Sequence, residues 1–268
     1  MLGLGSYSYR WSCGFRDRQP SNPLGPVDLV HRAQALGLGL VQFADNIPLH
    51  ERDPATIKAV GAAARETGIA IELGMGGFEG DLLRRYLELA EQLDARLIRI
   101  ALDAEDAALG VNDLARRIAA VLPDARAAGV QLAVENHFHF PSPRLKQILS
   151  MVDDPTLGVC LDVANSICAG EWPQETIELL APHAINLHLK DYRILPDPYG
   201  VGFRILGTPL GQGVLDIPAV FATLGQHDRE VNVILEHWLP PAETDEETLK
   251  REDDWIAQSV ACGRNHVS

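Results

Sequence analysis

Short apolar runs alternate with helical segments eight times along the 268-residue chain. Helix signals separate the runs: Asp53 and Pro54 read as an N-cap and first turn, and Gly68 follows as a stop. Strands that alternate with helices pair in parallel through right-handed crossovers. Eight units of about 30 residues each have the length of a closed barrel. We therefore predict an α/β fold, a (β/α)8 TIM barrel, with a single domain over residues 1–268.

A doubly wound parallel sheet is the alternative arrangement of such units. That fold needs a glycine-rich phosphate-binding turn between an early strand and its helix. The first strand contains LGLGSYS, which has one G-x-G but no third glycine and no helix directly after it. The barrel is therefore favoured.

The composition argues against several classes of partner. The net charge is −14 at pH 7, whereas nucleic acids and anionic membranes are bound by basic surfaces, so we expect neither partner. The four cysteines form no CxxC pair and are too few for a disulfide framework. No apolar run reaches the roughly 18 residues of a membrane span, and the N-terminal sequence lacks a leader pattern. We expect a cytoplasmic protein.

Four of the apolar runs end on a carboxylate or a histidine. The runs are LAVENHFH, GVCLDVAN, AINLHLKD and VNVILEHW. In a barrel the carboxyl ends of the strands converge on one mouth, so four neighbouring strands can each supply one ligand. A single strand-end acid is more often a helix cap or an ion-pair partner, but four in succession predict a metal site. The predicted metal ligands are Glu135, Asp162, His188 and Glu236.

Three carboxylates and one imidazole restrict the metal that suits this site. They favour Mg²⁺, Mn²⁺ or Co²⁺ over ions that prefer thiolates, and Mn²⁺ best combines hard oxygen with borderline nitrogen ligands. Catalytic zinc usually takes three protein ligands with more histidine. The predicted cofactor is one divalent metal ion, with manganese preferred and magnesium or cobalt as alternatives.

Other polar residues near the strand ends are candidates for substrate binding. Lys190 shares the inward face with His188 by the two-residue period of a strand, so it binds either a substrate oxygen or a barrel acid. His137, two positions after Glu135, is expected to reach substrate. Arg10, after the first strand, either lines the far wall of the pocket or anchors its own loop.

Two charged residues interrupt apolar strands, and each needs a partner. They are Glu72 and Arg99, and we expect them to pair with each other inside the barrel.

A long connection rich in glycine and proline, residues 191–213, follows the seventh strand. Loops longer than about 15 residues in compact domains are usually functional, so this segment is a candidate lid.

The motifs VENH, CLDVANS, NLHLKD, PLGQGVLD and VILEHW resemble those of the xylose isomerase-like TIM barrels. That family includes sugar phosphate isomerases and epimerases, ketose 3-epimerases, hydroxypyruvate isomerase and the endonuclease IV group. The resemblance covers most of the chain and is strongest in residues 133–238. It implies that Glu135, Asp162, His188 and Glu236 bind one cation, and that Glu135 and Glu236 also act as the catalytic acid–base pair.

The chain departs from part of that family at one position. In endonuclease IV and the ketose 3-epimerases a histidine lies three residues after the aspartate, where this chain has Asn165, which argues against a DNA-repair site. Asn165 becomes a substrate-binding candidate instead. The substrate-holding arginine of the epimerases is not matched, since Arg193 is one residue out of place. The segments SYSYRW, ADNIPLH and CLDVANS resemble a branch that includes 3-oxo-isoapionate decarboxylase.

These features lead to three functional hypotheses. The first is a divalent-metal-dependent isomerase or epimerase acting on a small keto sugar or sugar acid through a metal-stabilised enediolate. The second is a metal-dependent decarboxylase, a lyase, of a 3-oxo sugar acid such as 3-oxo-isoapionate. The third is a non-catalytic sugar-binding barrel, against which the paired acids argue. The expected partner is a small sugar or sugar acid, and a homo-oligomer is compatible with such barrels.

Overall fold

Eight parallel strands close into a barrel in a computed structural model, which describes residues 1–267. Each strand pairs with its neighbour in the chain, and the last barrel strand pairs with the first. The predicted (β/α)8 barrel is confirmed as a single domain; Ser268, at the end of the predicted domain, lies outside the described residues. The barrel strands are β1 (Leu2–Gly5), β2 (Leu40–Phe43), β3 (Ala70–Gly76), β4 (Leu97–Ala101), β5 (Gln131–Glu135), β6 (Leu157–Asp162) and β7 (Ala184–Leu189), and, after a hairpin of β8 (Asp191–Pro196) and β9 (Phe203–Thr208), β10 (Asn232–Leu235).

Helices connect the strands and share one continuous apolar core with them. The capping signals of the sequence operate as expected: Asp53 accepts a hydrogen bond from the Thr56 amide at 2.9 Å, and Gly68 ends the helix with φ of 71°. Such caps satisfy backbone groups that the helix leaves open. The α-helices are α1 (Arg10–Cys13), α2 (Pro26–Ala35), α3 (Pro54–Thr67), α4 (Gly80–Leu93), α5 (Ala104–Ala108), α6 (Val111–Ala127), α7 (Ser142–Val152), α8 (Pro173–Leu180), α9 (Ile217–Gly225) and α10 (Asp245–Gly263).

The strand register brings the polar strand ends to one height. Glu135 lies opposite Ala101 on one side and Cys160 on the other, and Asp162 lies opposite His188. β10 ends at Leu235, opposite Leu189, so Glu236 follows at the same mouth. Because all barrel strands run in parallel, these ends face the carboxyl-terminal mouth together.

The connection after β7 differs from the lid loop suggested by the sequence. β8 and β9 pair in antiparallel fashion along their full length, from Asp191 opposite Thr208 to Pro196 opposite Phe203. The residues that line the main cavity include none from 191–213, so the hairpin contributes no wall to it. The first strand is also shorter than expected, because Ser6–Tyr9 form a 3₁₀ turn.

The prediction that Glu72 and Arg99 pair with each other is wrong. In the ladder between β3 and β4, Arg99 lies opposite Gly74, two residues beyond Glu72 toward the mouth. At that height its guanidinium ion-pairs with Glu135, and with Asp45 at 3.1 Å. The register between β3 and β4 therefore decides which acid pairs with Arg99.

Glu72 instead belongs to a layer of polar side chains below the mouth, which we call the polar floor: the buried Gln42, Glu72 and Asn186 and the half-buried Asn232. Glu72 accepts hydrogen bonds from the amide nitrogens of Gln42 at 3.0 Å, Asn186 at 2.8 Å and Asn232 at 2.7 Å. Three neutral donors thus satisfy this carboxylate where a cation was expected.

The cysteines and the longest helices bear on the expectations from composition. All four cysteines are free thiols: Cys13, Cys160, Cys168 and Cys262. Within residues 1–267, no helix combines the length and the apolar character needed to cross a membrane.

Candidate metal centre and pocket

The four predicted ligands meet at the carboxyl-terminal mouth, and we call them the mouth cluster: Glu135, Asp162, His188 and Glu236. One ligand atom each from Glu135, Asp162 and His188 lies within 4.8 Å of the other two. Glu236 is the outlier of the set, and its Oε2 lies 3.5 Å from His188 Nδ1. All four side chains are buried, with Glu236 the most exposed at 5 %.

Unsatisfied atoms in this cluster test whether a divalent cation fits there. Glu135 Oε2, Asp162 Oδ2, His188 Nδ1 and Glu236 Oε1 are buried and lack a hydrogen-bond partner among the described residues. Two of them, Glu135 Oε2 and Asp162 Oδ2, lie against cationic side chains without hydrogen-bond geometry. Buried polar atoms are normally paired, so unpartnered atoms on three carboxylates and an imidazole are a set of side chains that suits Mg²⁺, Mn²⁺ or Co²⁺.

The imidazole of His188 is held from below by Gln42. Nε2 of His188 lies 2.7 Å from Oε1 of Gln42, while Nδ1 faces Glu135 at 3.3 Å and Asp162 at 3.9 Å. The ring therefore turns one nitrogen to the polar floor and the other to the mouth cluster. The sequence hypothesis overlooked Gln42, although a polar residue within the apolar run LVQF is the same signal that drew attention to Glu72.

Lys190 is bound within the mouth cluster. Its Nζ lies 2.7 Å from Asp162 Oδ2 and 2.6 Å from Glu236 Oε2, and 5.5 Å from the centre of the Trp238 ring. Burial alone would lower the pKa of Lys190, but Asp162 and Glu236 outweigh burial and raise it. Of the two roles predicted for Lys190, pairing with barrel acids is the one seen here.

Arg99 holds Glu135 in the same way from the other side. Burial of Glu135 would raise its pKa, but the Arg99 guanidinium and then His188 lower it well below the ordinary value. The pKa of Glu236 is likewise low, because His188 and Lys190 together outweigh burial. Both glutamates are therefore ionised across the physiological pH range.

Two asparagines fix the orientation of the acids. Asn165 donates from Nδ2 to Glu135 Oε1 at 2.9 Å. Asn136 exchanges two hydrogen bonds of 2.8 Å with the backbone of Asp162, one to its carbonyl and one from its amide. Asn165, predicted as a substrate contact, thus orients the Glu135 carboxylate of the mouth cluster.

A cavity of about 620 Å³ opens above the mouth cluster. Six of the eight predicted site residues line it, while Asp162 and His188 lie beneath its surface. Aromatic and cationic side chains form much of the remaining wall, including Tyr7, Trp11, Phe15 and Trp238. The lining residues predicted from sequence are Arg10, Glu135, His137, Asn165, Lys190 and Glu236.

Arg10 differs from Arg99 and Lys190, the two cavity cations that form ion pairs with the mouth cluster. Its guanidinium carbon lies 5.0 Å from the centre of the Tyr7 ring and 4.9 Å from that of Phe15. Burial lowers its pKa, its Nε is buried without a hydrogen-bond partner, and no carboxylate within residues 1–267 forms an ion pair with it. A stacked guanidinium without a counter-ion can bind an anionic group of a ligand.

Comparison with known proteins identifies relatives over almost the full chain. A family model described as xylose isomerase-like TIM barrel matches residues 30–259. A protein named 3-oxo-isoapionate decarboxylase from Pectobacterium atrosepticum is 33 % identical over 259 residues, which cover 97 % of this chain and 93 % of that protein.

Solved structures share the fold at low sequence identity. A xylose isomerase-like TIM barrel protein from Mycobacterium smegmatis, solved in complex with magnesium, superposes with a TM-score of 0.69 at 15 % identity, covering 97 % of this chain and 96 % of that one. D-psicose 3-epimerase from Clostridium cellulolyticum H10, solved with D-tagatose, superposes with a TM-score of 0.72 at 15 % identity over 100 % and 99 % of the two chains. At these identities the likeness concerns the fold alone.

Proposed function

Because the chain belongs to the xylose isomerase-like TIM barrel family, we propose that it is a metal-dependent lyase that removes CO₂ from a 3-oxo sugar acid. The relative named 3-oxo-isoapionate decarboxylase supports this choice over other reactions of the family, since its sequence aligns with this chain over nearly the whole length of both proteins. Epimerisation, the first hypothesis from the sequence, becomes the second candidate.

The observation that carries the proposal is that both glutamates of the mouth cluster are held by cationic side chains, which makes them weak bases. Arg99 and Asn165 engage Glu135, and Lys190 engages Glu236. Both carboxyl groups have a lowered pKa, whereas a general base works best with a pKa near the working pH. Decarboxylation needs no base, because the electron pair of the breaking C–C bond itself forms the enolate.

A divalent ion held by Glu135, Asp162, His188 and Glu236 would supply a Lewis acid that stabilises the enolate oxygen. Arg99 keeps the Glu135 carboxylate ionised, which is the form that binds a cation. When CO₂ leaves, the carbon that carried it requires a proton. Lys190 has three N–H donors, of which one is donated to Glu236 Oε2 while the ammonium group ion-pairs with Asp162. A further N–H is therefore available to that carbon and is replaced from water.

Arg10 is the side chain best suited to bind the substrate carboxylate. It lacks an acidic partner within residues 1–267, whereas Arg99 and Lys190 are engaged. A guanidinium binds a carboxylate through two parallel hydrogen bonds, and the Tyr7 and Phe15 rings fix its position. His137 lines the same cavity and remains a proposed substrate contact.

An isomerase or epimerase acting on a keto sugar is favoured by one observation. Glu135 and Glu236 both lie close to His188 Nδ1, at 3.3 and 3.5 Å, and paired carboxylates can remove and return a proton at one carbon. Their low pKa values make them weak bases, so we rank this reaction second.

The two reactions are separated by isotopes. Purified protein with Mn²⁺, and in parallel with Mg²⁺ or Co²⁺, is incubated in D₂O with 3-oxo sugar acids labelled with ¹³C in the carboxyl group, and with neutral ketoses. We expect ¹³CO₂ from an acid and one deuterium in the product carbon, with no exchange in recovered ketose. Deuterium in recovered or isomerised ketose without CO₂ from any acid contradicts the decarboxylase proposal and supports the second candidate.

A Glu236→Gln variant addresses the third hypothesis, a sugar-binding barrel without activity. An enzyme loses turnover far more than affinity when a metal ligand of this kind is neutralised. Binding of the same acids that persists in this variant, together with no turnover of any substrate by the unaltered protein, would support a receptor.

A further inference from the structure

The polar floor contains a buried carboxyl group that the proposed reaction does not use. Glu72 is 3 % exposed, and no cationic side chain within residues 1–267 forms an ion pair with it. Its Oε1 accepts from Asn232, and its Oε2 accepts from Gln42 and Asn186. Burial raises the pKa of Glu72, and these three donors oppose the rise. All three contacts direct N–H donors at the carboxyl oxygens, so they favour the carboxylate form over the protonated one.

The two acceptors next to Nε2 determine which way round the Gln42 amide lies. Nε2 of Gln42 has two acceptors, Glu72 Oε2 at 3.0 Å and Asn186 Oδ1 at 3.2 Å. Asn186 is fixed in turn, since its own Nδ2 donates to Glu72 and its Oδ1 also accepts from the Cys160 thiol. The remaining Gln42 atom, Oε1, therefore faces His188 and can only accept.

The direction of the last hydrogen bond follows. His188 Nε2 lies 2.7 Å from Gln42 Oε1, so Nε2 carries the proton and donates it. We propose that Gln42 and Glu72 are positioning residues for the metal site, which hold His188 with Nε2 protonated so that Nδ1 presents its lone pair to a cation in the mouth cluster. This inference rests on the metal that the proposed function requires.

The negative charge of Glu72 adds an electrostatic effect to this orientation. Partners of a metal-bound histidine that accept from its second nitrogen fix the ring and raise its basicity. Here the carboxylate acts through one intervening amide, and the low-dielectric barrel interior preserves the polarisation of the chain of hydrogen bonds. Loss of such a partner typically weakens metal binding by about 10- to 100-fold.

Metal affinity without substrate tests the proposal. We expect Gln42→Leu and Glu72→Gln each to raise the Kd for Mn²⁺, measured by calorimetry on metal-depleted protein, by about 10- to 100-fold. Glu252→Gln is the matched control, because Glu252 is an equally buried carboxylate satisfied by Trp11 and Ser12, with no hydrogen-bonded path to His188. A folded Gln42→Leu protein that binds Mn²⁺ as tightly as the unaltered chain overturns the inference.

A second readout needs no variant. In the Mg²⁺-loaded protein, ¹⁵N NMR of the imidazole is expected to show His188 protonated at Nε2 and not at Nδ1. Protonation at Nδ1 contradicts the proposal even if the variants fail to fold. A protein that binds metal with this tautomer but releases no CO₂ retains the inference and loses the proposed reaction, whereas one that binds no metal loses both.

Discussion

Two layers of buried polar side chains lie one above the other in the barrel, and they differ in how completely they are hydrogen-bonded. In the polar floor, every side-chain nitrogen and oxygen of the four residues has a partner. In the mouth cluster, each of the four residues keeps one buried atom without a hydrogen-bond partner among those described. The hydrogen bonds of the polar floor hold its side chains in place, whereas the mouth cluster has unpartnered atoms that can contact a cation or a ligand.

The difference has a clear energetic meaning. Buried polar atoms without a hydrogen-bond partner destabilise a fold, and a chain tolerates them where a ligand or metal completes the site. Substitutions in the mouth should therefore cost activity more than stability. Substitutions in fully bonded regions should cost stability and affect chemistry only through their neighbours.

The largest expected effect comes from the mouth. Asp162→Asn removes one ligand charge and one partner of Lys190, so we expect turnover of the 3-oxo acid to fall on the order of 10³-fold while the fold is retained. Rates are measured by CO₂ release with saturating metal, and exposed Asp94→Asn serves as the control. A variant that keeps more than a tenth of the turnover would remove Asp162 from the proposed machinery.

Glu252 is a fully hydrogen-bonded buried acid outside the barrel interior, so its substitution should change stability. Burial raises the pKa of Glu252 from the ordinary 4.5 to about 7. The folded chain therefore binds this proton more tightly than the unfolded chain, and stability falls as pH rises from about 4.5 to about 7. We expect a loss of about 3 kcal/mol in the free energy of unfolding across that window.

Urea unfolding at pH 5 and pH 8 measures this effect. Because many other groups titrate over the same range, the relevant quantity is the difference between the unaltered chain and Glu252→Gln. The variant should lack this share of the pH dependence, and identical pH dependence in both proteins would show that Glu252 has an ordinary pKa.

The next prediction concerns Arg10, the proposed contact of the substrate carboxylate at the mouth. Arg10→Met removes a guanidinium that lines the cavity, is largely shielded from solvent and has no ion-pair partner within residues 1–267. KM for a 3-oxo acid should therefore rise about 10- to 50-fold, with a smaller fall in kcat. Arg18→Met is the control, since Arg18 pairs with Asp245 on the surface and does not line the cavity. Equal affinity of both variants for a non-reactive sugar acid would place the carboxylate elsewhere.

The smallest expected effect lies at the edge of the polar floor. Asn232 donates to Glu72 and is half-buried, so water can partly replace it in Asn232→Ala. We expect the free energy of unfolding to fall by about 1 kcal/mol in urea titrations, with Mn²⁺ affinity reduced less than in Gln42→Leu. A larger loss of metal affinity than in Gln42→Leu would contradict the order of the hydrogen-bond chain.

The barrel and its metal-capable residues could be predicted because their signals are local. Helix caps such as Asp53 and the polar strand ends at Glu135 and Asp162 are visible in short windows, and parallel strands bring all their ends to one mouth. The depth of a residue inside the barrel is not visible there. It depends on the register between strands.

Register explains what the sequence did not disclose. Arg99 lies two residues above Glu72 in the ladder, so it pairs with Glu135 instead. Glu72 is satisfied by one amide from the neighbouring strand β2 and by two from β7 and β10, which do not pair with β3. Gln42 is significant only because its side chain meets His188, 146 residues away. The hairpin of residues 191–208 also required three-dimensional information, because its strands lack a two-residue turn signal.

Anomalous diffraction from crystals grown with Mn²⁺ tests the central claim most directly. The open atoms of the mouth cluster predict one manganese peak among Glu135, Asp162, His188 and Glu236, with His188 bound through Nδ1 and Gln42 still bonded to Nε2. Manganese bound only elsewhere at saturating concentration, or contacting His188 through Nε2, would contradict the claim that the mouth is left incomplete to receive a cation.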